Sequence, residues 1–115
     1  MNKAAGRVEN LKPNYKLWLE QDGQYVFGLG AYNILKSIHE AGTITEGAKA
    51  LSMSYRYAWG VIKKIEITLG VKLLETYKGG NVGGGGARVT EHGLKLMEMF
   101  DGAQTAVDKA FRKSP

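Results

Sequence analysis

Residues 45–69 have the sequence TEGAKALSMSYRYAWGVIKKIEITL, which contains the start and end signals of two successive helices. Thr45 can cap a short alanine-rich helix that runs through Leu51, and Ser54 can cap a second helix that ends near Leu69. Gly70 follows in the position where a left-handed residue commonly closes a helix. Two helices joined by a turn this short are the signature of a helix-turn-helix motif. We therefore predict that motif over residues 45–69.

The second helix of the motif has two contrasting faces. Its apolar residues are spaced by four, three and four positions, which predicts a single stripe facing the core, made of Ala58, Ile62, Ile65 and Leu69. At about 100° per residue, the opposite face carries Arg56, Gly60, Lys63 and Ile67. A glycine on this outer face allows either a phosphate or a neighbouring helix to come close.

Several side chains of the second helix are candidates for contact with DNA. Arg56 is the best candidate for reading a base, because its guanidinium can pair with both O6 and N7 of guanine. Tyr55 and Tyr57 flank it and can pack on sugars or thymine methyl groups, or else fill the core. Lys63 and Lys64 lie further along the helix, where we expect phosphate contacts.

The sequence before the motif predicts a tail, a hairpin and a helix. Residues 1–13 lack periodicity, which indicates a flexible N-terminal tail. Apolar and polar residues alternate over residues 15–20, an Asp-Gly pair at residues 22–23 favours a tight turn, and residues 25–27 supply the return strand. Apolar residues at helical spacing then predict a helix over residues 29–41.

A glycine-rich wing follows the motif. Residues 71–77 have the pattern of a strand, residues 88–90 form its return, and the connection between them holds six of the chain's 16 glycines. We predict a β-hairpin over about residues 73–90, termed the wing. Lys78 and Arg88, together with backbone N–H groups of the tip, would face phosphates or a minor groove. The alternative is an ordinary surface loop.

Residues 91–112 predict a long last helix, which Thr90 can cap. Its apolar positions are spaced by four and three residues: Leu96, Phe100, Ala103, Val107 and Ala110. A monomer would have to bury this stripe on its own small core, whereas two chains could bury two stripes against each other. We therefore predict a mainly α fold with small β-hairpins, a winged helix-turn-helix over residues 14–115 with an N-terminal hairpin and a C-terminal dimerisation helix.

Positive charge is concentrated around the motif. The chain of 115 residues has a formal net charge of +5, and residues 49–88 hold seven basic residues against two acidic ones. The remainder of the chain is balanced. A focused basic region attracts polyanions, of which DNA is the commonest. A surplus that clusters by chance is the alternative.

Several other chemistries have no residues to support them. The chain has no cysteine, which excludes disulfides and cysteine-based zinc sites and fits a cytoplasmic location. His39 and His92 lie on different predicted helices without a carboxylate cluster, so we predict no metal, no cofactor and no catalytic site. No apolar stretch approaches the roughly 20 residues that a membrane span needs, and none follows Met1 as in a secretory signal peptide.

Three stretches resemble the N-terminal DNA-binding domain of the ModE-type, molybdate-dependent regulators. They are GTITEGAKALSMSYRYAW (residues 42–59), LGVKLLE (69–75) and KGGNVGGGGARVT (78–90), and the second is also similar to the wider LysR-type regulators. The resemblance covers about residues 15–111. It implies a DNA-binding winged helix whose second motif helix enters the major groove beside the wing, and a dimer formed by the first hairpin and the terminal helix.

The sequence thus predicts a homodimeric transcriptional regulator that binds double-stranded DNA, with Thr45 and Ser54 holding helix N-termini near phosphates. ModE-type regulators carry molybdate on C-terminal domains, and this chain ends at Pro115, so we expect no molybdate-sensing domain. Two alternatives stay open. One is a protein-interaction module whose basic third faces an acidic partner. The other is a sensor that binds molybdate or tungstate through backbone N–H groups of the glycine-rich loop.

Overall fold

The computed structural model describes residues 6–78 and 85–112. In chain order their elements are a 3-10 turn (Val8–Asn10), β1 (Trp18–Gln21), β2 (Gln24–Gly28), α1 (Leu29–Ala41), α2 (Ile44–Ala50), α3 (Tyr55–Leu69), β3 (Leu74–Tyr77), β4 (Gly86–Val89) and α4 (Glu91–Arg112). The strands form two separate antiparallel hairpins, which confirms the predicted mainly α class. Over these ranges, no helix has the length and apolarity to cross a membrane.

The first hairpin begins later than predicted, at Trp18. Residues 15, 17 and 19 do alternate in burial with their neighbours, but Tyr15 leaves the sheet. Its ring packs edge-on against Phe111 of α4, with the ring centroids 5.0 Å apart. The predicted tight turn is confirmed, with a φ of 79° at Gly23.

The bounds of α1 are those that the sequence predicts. Gly42 closes the helix in the left-handed conformation, with a φ of 82°, and donates its N–H to the carbonyl of Ile38 at 2.8 Å. The inward stripe of α1 is buried and comprises Ala31, Ile34, Leu35 and Ile38. This helix therefore forms the centre of the core, onto which the predicted motif packs.

The cap of α2 corrects one prediction, because Thr43 and not Thr45 is the N-cap. Oγ1 of Thr43 accepts a hydrogen bond from the N–H of Glu46 at 3.0 Å. Thr45 instead lies exposed within the first turn of the helix. Thr43 and Glu46 have the T-x-x-E spacing of a capping box, a signal that identifies the correct cap.

A close approach between α1 and α2 fixes the motif on the core. A Cβ atom at Gly47 would lie 2.7 Å from Cγ1 of Ile38, so only glycine fits there. Oγ of Ser37 donates a hydrogen bond to the carbonyl of Gly47 at 2.7 Å. These contacts hold α2 against α1 and so determine where α3 begins.

The prediction for α3 is confirmed at both ends. Oγ of Ser54 accepts the N–H of Tyr57 at 3.0 Å, and Gly70 closes the helix with a φ of 71°. Of the predicted stripe, Ala58 and Ile62 are fully buried, and the last member, Leu69, packs against the core.

The wing forms the second hairpin, but its first strand begins at Leu74, later than predicted. Leu74 pairs with Val89 across the hairpin. Residues 71–73 stay outside the strand, and the N–H of Leu73 donates to Oε2 of Glu66 in α3 at 2.7 Å. Of the predicted glycine-rich connection, residues 79–84 lie outside the described residues, and Gly86 belongs to β4.

Two backbone hydrogen bonds and one side-chain cap hold the wing in place. The N–H of Ala87 donates to the carbonyl of Gly42 at 2.8 Å, and the N–H of Thr90 donates to the carbonyl of Leu73 at 2.9 Å. Thr90 also caps α4, as predicted, by accepting the N–H of Gly93 at 3.1 Å. The wing is therefore fixed at the end of α1 and at the start of α4.

α4 has the predicted bounds and joins the core through Phe100, which is fully buried between Phe27 and Tyr32. The largest fully buried side chains come from β2, α1, α3, α4 and the residue just before β3: Phe27, Phe100, Ile34, Leu35, Ile38, Ile62 and Leu73. One core thus unites the motif, the wing and the terminal helix.

Candidate nucleic-acid interface

The outer face of α3 is open to solvent. Arg56 and Gly60 are exposed, as are 59% of Tyr57 and 74% of Ile67. None of the ion pairs among the residues that the structure describes involves Arg56. Its guanidinium is therefore available to a group outside the chain.

The start of α3 presents a capped but accessible helix N-terminus. The side-chain oxygen of Ser54 is occupied by the N–H of Tyr57. Tyr55 is 49% exposed, so the alternative that it fills the core is wrong. Thr45 is exposed at the start of α2. Both helix starts carry the partial positive charge of a helix N-terminus.

Tyr57 and Lys64 line one side of a cavity of about 310 Å³ between α3 and the first hairpin. Tyr25 and Gly28 of β2 line the other side. The hydroxyl of Tyr25 lies directly over the backbone of Gly28. The structure thus brings Tyr57 and Lys64 together on the flank of α3 that faces the hairpin.

Lys63 lies on the other flank of α3 and interacts with two residues of the same helix. Its Nζ atom lies 3.8 Å from Oε1 of Glu66 and 5.3 Å from the centroid of the Trp59 ring. The Lys63 side chain keeps 43% exposure. The two adjacent lysines therefore differ, since Lys64 is exposed and takes no part in an ion pair within the described ranges.

Glu66 of α3 is a further residue of this region, and it was not predicted from the sequence. With 5% exposure, it is the one charged side chain that is buried in the described part of the chain. Its Oε2 atom accepts the N–H of Leu73 at 2.7 Å and that of Leu74 at 3.1 Å. The available signal was its position one turn after Ile62, on the inward side of α3.

The basic side chains of the wing are both exposed but differ in their partners. Nη2 of Arg88 lies 3.0 Å from Oε1 of Glu75 on the opposite strand, and the Arg88 side chain is 72% exposed. Lys78 is exposed and has no ion pair among the residues described. The proposed oxyanion site on the tip falls on residues 79–84 and lies outside the described residues.

The stripe predicted for dimerisation is divided between core and surface. Phe100 is fully buried in its own chain, so it cannot face a second chain while this core is intact. The other predicted positions are half-buried or exposed: Leu96, Ala103, Val107 and Ala110. Met99, which is 61% exposed, and the exposed Ala106 extend the same side of the helix. This surface, made of Leu96, Met99, Ala103, Ala106 and Ala110, is termed the open flank of α4.

The N-terminal segment covers the other side of α4. The hydroxyl of Tyr15 donates to the carboxylate of Asp108 and lies 3.3 Å from the carbonyl oxygen of Gln104. The hydrogen bond to Asp108, together with burial and the negative charge of that carboxylate, raises the pKa of Tyr15. Of the two sides of α4, this segment leaves the open flank uncovered.

The sequence matches the family model described as bacterial regulatory helix-turn-helix protein, lysR family, over residues 29–94. It is 38% identical to the transcriptional regulator ModE of Yersinia pestis over 78 residues, 68% of this chain and 29% of that protein. It is 37% identical to the DNA-binding transcriptional dual regulator ModE of Escherichia coli over 79 residues, 69% of this chain and 30% of that protein. The chain thus spans about 30% of the length of these relatives.

A further relative is the molybdenum-pterin-binding protein MopA of Rhodobacter capsulatus, 33% identical over 82% of this chain and 35% of that protein. Among solved structures, the fold is similar to that in the CbnR DNA-binding domain–DNA complex, with a TM-score of 0.56 over 74% of this chain and 91% of that chain at 22% identity. It is also similar to ArgP from Mycobacterium tuberculosis, with a TM-score of 0.50 over 70% of this chain and 27% of that chain at 22% identity.

Proposed function

The chain belongs to the bacterial regulatory helix-turn-helix proteins of the lysR family, and from this membership we propose that it regulates transcription by binding duplex DNA with α3 in the major groove. Members of this family are regulators and not enzymes. The observation that best supports the proposal is the exposed outer face of α3. The inner face of this helix is buried in the core, whereas Arg56 and Tyr57 are exposed near its N-terminus.

The first turns of α3 supply the base contacts in this proposal. Arg56 offers two parallel donors that match O6 and N7 of guanine. Tyr55 and Tyr57 offer exposed rings that can pack on thymine methyl groups and sugars. The N–H groups at the start of α3 after Ser54, and at the start of α2 near Thr45, attract phosphates.

We assign the sequence-independent attraction first to Lys64 and Lys78. Both are exposed and lack an ion pair within the part of the chain that the structure describes. Lys63 and Arg88 also contribute positive charge, but each already lies beside a carboxylate of its own chain. An ion pair within the protein reduces the net charge that these two side chains present to DNA.

We further propose a homodimer in the cytoplasm, where bacterial DNA lies. Two copies of the open flank of α4 would bury Met99 and the alanines against each other around a two-fold axis. The first hairpin leaves Trp18 and Tyr25 exposed beside Gln104 and Asp108 of α4 and offers a second apolar surface for the partner. A two-fold dimer predicts a pseudo-palindromic site whose half-sites lie about 34 Å apart, or a multiple of that distance.

Selection of bound duplexes from a random pool, followed by titrations at several salt concentrations, tests the proposal. We expect an enriched two-fold sequence and an affinity that falls with salt, with a log–log slope of about −0.9 per neutralised phosphate. An affinity independent of salt would contradict a phosphate-dominated contact. No binding of random duplex even at low salt would favour the protein-interaction module.

A further inference from the structure

The carboxylate of Glu66 lies where α3, the wing and the start of α4 meet. Besides the two N–H groups that it accepts from Leu73 and Leu74, this junction holds two more hydrogen bonds. The carbonyl of Leu73 accepts the N–H of Thr90 at 2.9 Å, and the hydroxyl of Thr90 donates to the carbonyl of Lys72 at 2.6 Å. One side chain of α3 therefore determines where the first residues of the wing run.

The second oxygen of Glu66 depends on Lys63. Within the described residues, Oε1 is buried without a hydrogen-bond donor, and Nζ of Lys63 is the cation beside it, at 3.8 Å. A buried carboxylate is costly unless a nearby charge or donor compensates it. The ring of Trp59 lies beneath the same ammonium and holds the lysine in place. Lys63 thus has a structural partner on its own helix.

We propose that Glu66 is the positioning residue that sets the wing against α3, and that Lys63 serves this carboxylate and not a DNA phosphate. The DNA-binding part of this inference rests on the proposed function. The wing carries Lys78 and Arg88, so a wing that Glu66 no longer holds cannot present them at a fixed distance from Arg56. Glu66 itself touches no DNA and acts through the backbone of Leu73 and Leu74.

The free protein tests the positioning role without DNA. Glu66→Gln keeps the shape of the side chain but turns a charged acceptor into a neutral one. We expect amide hydrogen exchange at Leu73 and Leu74, followed by NMR, to accelerate by about tenfold. Lys63→Met, which keeps an unbranched apolar side chain over Trp59, is expected to accelerate the same two amides. The matched control Lys64→Met is expected to leave them unchanged.

Binding to the selected duplex tests the role of Lys63. Lys64→Met is expected to make the salt slope shallower by about 0.9 in both the wild type and the Glu66→Gln background. Lys63→Met is expected to weaken binding when it is introduced into the wild type. It is expected to have no additional effect in Glu66→Gln, because residue 66 is then neutral and no longer needs the lysine. Lys78→Ala is likewise expected to lose its effect in Glu66→Gln. Additive effects of Lys63→Met and Glu66→Gln would assign Lys63 to a phosphate and overturn the proposal.

Two further outcomes are decisive. If Glu66→Gln does not fold, Lys63→Met decides alone: faster exchange at Leu73 and Leu74 supports the proposal, and unchanged exchange with a salt slope shallower by about 0.9 overturns it. If the wild type binds no DNA, the proposed function is wrong. The exchange experiment then still decides whether Glu66 positions the wing.

Discussion

The ring of Phe100 stacks on that of Tyr32, with the centroids 5.1 Å apart and the planes at 28°. Phe27 meets Phe100 edge-on from the first hairpin, with the centroids 5.8 Å apart. This aromatic group joins α4 to α1 and to β2 within one chain. The terminal helix is therefore part of the core of the monomer.

Phe100→Ala tests that conclusion. Loss of a fully buried aromatic ring is expected to lower the free energy of unfolding by about 3–5 kcal/mol. Glu98→Ala, on the exposed side of the same helix, is a control that should change it by less than about 0.5 kcal/mol. Urea unfolding followed by circular dichroism measures both. Equal stability of the two variants would mean that Phe100 is not a core residue.

Ala106→Glu tests the open flank of α4 as the dimer interface. A carboxylate buried between two such flanks, facing its own symmetry mate, is expected to dissociate the dimer. Thr105→Glu makes the same charge change at the neighbouring exposed position, which points away from that flank. Sedimentation equilibrium should find monomers only for Ala106→Glu. Dimers that persist in Ala106→Glu would require a different interface.

Arg56→Ala tests the base-reading role on α3. If the guanidinium pairs with one guanine, its loss is expected to cost about 1–3 kcal/mol of binding free energy on the selected duplex and to relax specificity at that one position. Lys64→Met is expected to weaken binding to all sequences equally. Fluorescence titrations with the selected duplex and single-base variants measure these effects. A uniform loss for Arg56→Ala would make it a phosphate contact.

The two threonines near the start of α2 give a prediction about stability. Thr43→Ala removes the side chain that accepts the Glu46 N–H and is expected to cost about 1 kcal/mol. Thr45→Ala removes an exposed side chain within the helix and is expected to cost little, because alanine favours helices. Thermal unfolding compares them. A larger loss for Thr45→Ala would contradict the observed cap.

Tyr15 gives a prediction for alkaline pH. Its folded pKa is raised above the ordinary value of 10.0, chiefly by the hydrogen bond to Asp108. The protonated phenol is thus favoured in the folded state, so its contribution to stability is present below pH 10 and is lost as the pH rises through the folded pKa. Tyr15→Phe is expected to reduce this alkaline loss of stability. Tyr55→Phe, on the exposed start of α3, is expected to leave it unchanged.

Local signals made α1, α3 and α4 predictable from the sequence, whereas the cap of α2 was assigned to the wrong threonine. The ends of α1 and α3 follow from a glycine in the left-handed conformation, at Gly42 and Gly70, and from an apolar stripe that stops just before it. Such signals are local, so one sequence contains them in full. The bounds of α4 were predicted in the same way, from Thr90 and the apolar spacing that follows it.

The strand bounds were predicted wrongly where a residue contacts groups that are distant in the sequence. Tyr15 has the alternation of a strand, but its side chain bonds to Asp108 and packs on Phe111 of α4. The first strand of the wing begins only at Leu74, where Glu66 accepts the N–H groups of Leu73 and Leu74. Glu66 appears in the sequence only as one acid in a basic region, and its burial depends on partners that no periodicity describes.

The hydrogen bond from Ala87 to Gly42 shows that the helix-turn-helix motif (α2 and α3) cannot be separated from the rest of the domain when the protein is engineered. A peptide limited to α2 and α3 would lack α1, the strand β4 that is hydrogen-bonded to the end of α1, and the aromatic cluster of the core. We therefore expect that such a peptide would not fold on its own. Redirecting the protein to new operators is therefore better done by exchanging outward residues of α3 within the intact scaffold.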